Sequence, residues 1–65
     1  EHLPKDLEQF LDIIKNKGGR ANQKDVRRET NLSEAKVSLM IADLESRGII
    51  RKIKKGRGNI IILEK

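Results

Sequence analysis

The apolar residues of this chain change their spacing once, at Gly48. Before it they fall on helical stripes, and after it they follow the shorter period of strands. A chain with that switch must bury short helices and a hairpin together, and 65 residues leave room for a single domain. There are no cysteines, so no disulfide, thiolate metal site or cysteine nucleophile is available. With 35% apolar and 38% charged residues, the chain sits near the limit for folding without staples, and its core rests on a few Ile and Leu side chains.

Leu3, Leu7, Phe10, Leu11 and Ile14 make the stripe of a first helix. Pro4 suits its first turn, and Gly18-Gly19 ends it. Arg20-Ala21 has length for a bridge-like strand only. Asn22 offers a cap, with Asp25 as capping-box partner, for a second helix over residues 23–30 that buries Val26 and Thr30. Asn31 breaks this helix in a left-handed turn, and Leu32 follows as an apolar plug. Ser33 caps a third helix over about 33–47, whose inner face is Val37, Met40, Ile41 and Leu44. Residues 22–48 therefore read helix, turn, helix. Residues 49–55 and 60–63 form an antiparallel hairpin with its tip at 55–59. Ile60 and Ile62 share one strand face and Ile61 and Leu63 the other, so one pair is partly exposed to a partner or to the remainder of a longer chain.

Charge is unevenly placed. Residues 1–48 hold nine Lys/Arg and nine Asp/Glu, whereas residues 49–65 hold six Lys/Arg and only Glu64, so the whole +5 lies in the last 17 residues. The ridge Arg51-Lys52-Ile53-Lys54-Lys55-Gly56-Arg57 fits either a polyanionic partner or a solvated edge hairpin that resists strand aggregation. Phe10 is the only aromatic, which argues against stacking of single-stranded bases. The longest apolar run, Ile60 to Leu63, is four residues, so this segment is expected to make no membrane contact, and no signal-peptide pattern appears in it. His2 stands alone and reads as a surface residue, and without paired His, P-loop or pocket the chain reads as a non-enzyme with no cofactor.

The segments Asn31-Leu32-Ser33-Glu34-Ala35-Lys36-Val37-Ser38 and Leu44-Glu45-Ser46-Arg47-Gly48-Ile49-Ile50 resemble the LS-x-x-x-V-S and LE-x-x-G-L-I pattern of MarR-like regulators. Gly56-Arg57-Gly58-Asn59-Ile60-Ile61 is similar to the wing of archaeal members, some of them tethered to membranes in longer proteins. The resemblance implies an α+β winged helix-turn-helix domain, three helices with a small antiparallel sheet in the order α-β-α-α-β-wing-β, whole or cut from a longer protein. It implies double-stranded DNA as partner, transcriptional regulation as role and a cytoplasmic location, free or as the cytoplasmic part of a tethered protein. Ser33, Ala35, Lys36, Ser38 and Leu39 would face the major groove, alongside the acidic Glu34 and Asp43. Lys52, Lys54, Lys55, Arg57 and Asn59 of the wing would meet phosphates or the minor groove, and Asn22, Gln23, Lys24 and Arg28 would meet the backbone. Two positions depart from the pattern. Leu39 replaces a common Arg or polar residue, and would meet either a thymine methyl or a docked protein. Arg27 replaces a small buried residue, its stem along the core edge and its head in water. The alternative role is a protein-interaction winged helix within a larger assembly.

Overall fold

Two of the three helices start on side-chain caps, as their sequences predict. In the computed structural model, which describes residues 3–64 and so leaves His2 outside, Asn22 Oδ1 accepts from Lys24 N at 3.0 Å. Ser33 Oγ accepts from Lys36 N at 3.1 Å. The elements are α1 (Lys5–Asn16), β1 (Arg20–Asn22), α2 (Gln23–Thr30), α3 (Glu34–Ser46), β2 (Ile50–Lys55) and β3 (Gly58–Leu63). Pro4 stands just ahead of α1 rather than inside its first turn, and its carbonyl accepts from Glu8 N. Asp25 makes its close approach to Arg28, at 3.9 Å, rather than completing a capping box.

Helices α1 and α3 stop in the same way. The N–H of Gly19 reaches Ile14 O at 2.9 Å and that of Ile49 reaches Leu44 O at 3.0 Å, each closing a helix end with a wide reverse bond. Gly48 has φ +75°, which a residue without Cβ adopts cheaply. Between α2 and α3, Asn31 takes φ +61°, the left-handed turn expected of it.

The sheet order is β1-β3-β2, antiparallel throughout, with β3 central. Its buried residue Ile61 lies opposite Ala21 on one side and Lys52 on the other. The core adds Leu7, Phe10, Leu11 and Ile14 from α1, Val26 from α2, the expected Val37, Met40, Ile41 and Leu44 from α3, and Ile50 from β2. Among the described residues no polar or charged side chain is buried. Lys17 and Glu29 fasten the end of α1 to α2 at 2.6 Å.

Three further expectations need correction. Leu32 is not a plug: it is 36% exposed and sits at the rim of an open hollow lined also by Phe10, Ile13 and Met40. Thr30 is half-buried rather than buried, its hydroxyl donating to Arg27 O at 2.8 Å. The hairpin tip is tighter than 55–59, because Lys55 and Gly58 already pair and only Gly56 and Arg57 turn. Gly56 has φ +61° and Arg57 does not share that sign, the pattern of a type II′ turn. Of the two strand-face pairs, Ile60 and Ile62 are both half-buried, whereas Ile61 is buried and Leu63 packs partly against the core. The fold is a winged helix. No helix among the described residues is long and apolar enough to cross a membrane.

Candidate nucleic-acid interface

Helix α2 sets the first part of the site. Lys24, Arg27 and Arg28 lie three and four residues apart, so they share one helical face. That face lines a cleft of about 270 Å³ with Glu34 from the start of α3 and Arg57, Gly58 and Asn59 from the wing. Four cations and one carboxylate thus surround an open space where three elements converge. In it Arg27, which sequence reading treats as a core-edge residue, is a full member, and its spacing from Lys24 is the signal that shows it.

The wing is fixed to this cleft by a long-range bond. Asn59 Nδ2 donates to Gln23 Oε1 at 2.9 Å across 36 residues of sequence, in a partly buried position. Gln23 and Asn59, both expected to contact a ligand, therefore bind each other. Asn22 and Ser33 likewise use their side-chain oxygens as caps. All four position the interface more directly than they present free groups to it.

Strand alternation separates the wing cations. Ile50 is buried, so Lys52 and Lys54 share its face toward the helices, while Arg51 and Lys55 lie on the opposite face. Arg51 is occupied by Glu64 at 2.9 Å. Arg57 occupies the turn itself. The N–H of Lys52, on the outer edge of the sheet, donates to Glu45 Oε2 at 3.3 Å, which binds β2 to α3 and covers part of that edge.

On α3, Val37, Met40, Ile41 and Leu44 point inward. At about 100° per residue, Ala35, Leu39, Ala42 and Ser46 then form the outermost line. Glu34, Ser38 and Glu45 flank it on the wing side, and Lys36, Asp43 and Arg47 on the α1 side. Lys36 Nζ lies 3.7 Å from Asp6 of α1, and Arg47 Nε donates to Asp43 Oδ1 at 2.7 Å. Leu39 is 69% exposed. The residues expected on the reading face thus divide between an uncharged crest (Ala35, Leu39), a hydroxyl beside the wing (Ser38) and a lysine leaning toward α1 (Lys36). Among the described residues no cluster of three or more His, Asp or Glu side chains could hold a metal.

Residues 3–64 match the model of a protein family described as "Domain of unknown function (DUF7343)". An uncharacterized protein of Methanocaldococcus jannaschii, MJ1254, is 44% identical over 61 residues, which are 94% of this chain and 13% of that protein. The PcaV transcriptional regulator from Streptomyces coelicolor, solved with its natural ligand, superposes with a TM-score of 0.88 over all of this chain and 48% of its own, at 19% identity. A solved structure of HOP2, reported for its DNA recognition and protein interaction domains, gives a TM-score of 0.72 over 89% of this chain and 97% of its own, also at 19% identity. The chain therefore spans about an eighth of the M. jannaschii protein (13%) and about half of PcaV (48%). At that identity the two structures show a shared fold.

Proposed function

This chain belongs to the DUF7343 family, and from that footing we propose that it is the double-stranded DNA-binding module of a transcriptional regulator. The observation that carries the reading is the cleft in which Lys24, Arg27 and Arg28 of α2 face Arg57 of the wing. Three cations of one helix converging with a fourth from the wing suit a phosphate backbone, which presents closely spaced negative charges. The likeness in fold to a transcriptional regulator supports the same reading.

In this reading α3 enters the major groove along its Ala35–Leu39–Ala42 crest. The start of α2 sits on one phosphate strand, with its unpaired backbone N–H groups adding to Lys24 and Arg28. Lys52 and Lys54 approach the backbone beside α3, and Arg57 reaches the adjacent minor groove. Lys55, on the far face of the hairpin, contributes through charge more than through contact. The reading places the module in the cytoplasm, as a unit of a longer protein, without catalysis of its own.

Neutralisation of ~4–6 phosphates gives a log–log salt slope of about −4 to −5. Titration with a random duplex, followed by amide NMR at two salt concentrations, tests this. Shifts concentrated at residues 23–28, 34–39 and 54–58 that weaken with salt are expected. Silence at all three segments at low salt overturns the proposal.

A second reading has one specific observation behind it. Leu39 and Ile53 are 69% and 40% exposed, and such apolar side chains also suit a protein partner. Binding to a protein through these residues, with no response to duplex, would establish it.

A further inference from the structure

The crest of α3 carries no side chain able to read a base by paired hydrogen bonds. Its outermost residues are Ala35, Leu39, Ala42 and Ser46, and the hydroxyl of Ser46 is already donated to Asp43 O at 2.7 Å. Guanine and adenine are distinguished in the major groove by bidentate partners such as Arg, Asn or Gln, none of which lies on this line. One base-edge feature is apolar, the 5-methyl group of thymine. Resting on the duplex-binding reading above, we propose that Leu39, flanked by Ala35 and Ala42, is a thymine-methyl reader, so that the domain selects duplexes bearing thymine where α3 lies in the major groove.

Two observations favour DNA over an apolar protein as the occupant of this crest. The first is charge complementarity, since Lys24, Arg27, Arg28 and Arg57 stand on its wing side. The second is that two of the three acidic residues beside the crest already accept hydrogen bonds within the fold, and the third stands among cations. Asp43 accepts from Arg47 at 2.7 Å, Glu45 accepts from Lys52 N at 3.3 Å, and Glu34 sits in the cation-lined cleft. The surface offered to the duplex is thus an uncharged ridge with cations beside it. The two alanines, with side chains of one methyl each, let Leu39 stand proud and let the helix approach the base edges closely.

The test begins with selection of preferred sites from a random duplex library by the 65-residue chain. Enrichment of thymine at the contacted positions is expected. Each selected thymine is then replaced by deoxyuridine, which keeps base pairing and hydrogen-bonding edges and removes only the methyl. Affinity should fall about threefold to tenfold per contacted methyl, by the burial of one such group. In Leu39→Ala, an exposed position whose change should leave Tm near the parent value, thymine and deoxyuridine duplexes should bind equally. The salt slope of that variant should match the parent's. Equal affinity of the parent chain for thymine and deoxyuridine duplexes would overturn the methyl reading while leaving duplex binding intact. Failure to bind any duplex at low salt would instead overturn the underlying function, and the methyl reading with it.

Discussion

The crest of α3 and the wing hairpin are neighbours with opposite surface chemistry. The crest is uncharged, with one large apolar side chain in the open. The hairpin carries Arg51, Lys52, Lys54, Lys55 and Arg57 within seven residues. If both meet one duplex, they do different work. The hairpin supplies attraction that ignores sequence and fades with salt, and the crest supplies discrimination that salt hardly changes. The body beneath them has its own division. Residues 1–48 balance their charges and contribute most of the core, so the positive excess is added at the one end where it repels least of the fold.

The largest effect should come from removing what crest and wing both stand on. Leu44→Ala, at a fully buried site under α3, should cost about 2–5 kcal/mol. That approaches the ~3–5 kcal/mol that a core of this size supplies, so thermal denaturation should find the variant largely unfolded. Next, Lys54→Glu with Arg57→Glu should lower affinity for every duplex roughly a hundredfold at low salt and flatten the salt slope by about two, with Tm unchanged. Reversing Arg51 and Lys55, on the outer face, should cost severalfold less; equal losses for the two pairs would break the assignment of faces. Ser33→Ala removes the cap of α3 and should cost about 1 kcal/mol, a fall in Tm of about 4–8 °C. Asn59→Ala should cost about 0.5–1.5 kcal/mol and raise the mobility of residues 54–58 in NMR relaxation; unchanged mobility would show that the bond to Gln23 does not hold the wing.

The smallest effect concerns Lys17, whose hydrogen bond with Glu29 holds its amine above the ordinary value of 10.5. A raised value in the folded state stabilises at all lower pH and is lost only as pH climbs through that raised value. The stability difference between parent and Lys17→Met should therefore be flat from pH 6 to 10 and shrink only above about 10.5.

Much of the fold was legible because its causes are local. The caps at Asn22 and Ser33, the left-handed Asn31 and the inward stripe of α3 each depend on neighbours within four residues. The errors come from longer reach. Leu32 reads as a plug from its place after a turn, yet it stays at the rim of an open hollow whose wall comes from α1, through Phe10, twenty-two positions earlier. The pairing of Gln23 with Asn59 spans 36 residues and has no local signature. Arg27 was open to a closer reading, because a helix brings positions 24, 27 and 28 to one face whatever surrounds them. The division of Lys52 and Lys54 from Lys55 needed only strand alternation and the burial of Ile50.

The bond between Gln23 and Asn59 has a mechanical meaning for recognition. By tying the hairpin to the start of α2, it would hold the wing backbone that carries Arg57 at a set distance from the helix that carries Lys24 and Arg28, as a fixed-jaw calliper does. In the proposed complex, a duplex whose strands already stand at that gauge would be gripped without bending, whereas a wider or narrower one would have to be deformed first. Groove width would then be measured at base pairs that no side chain touches.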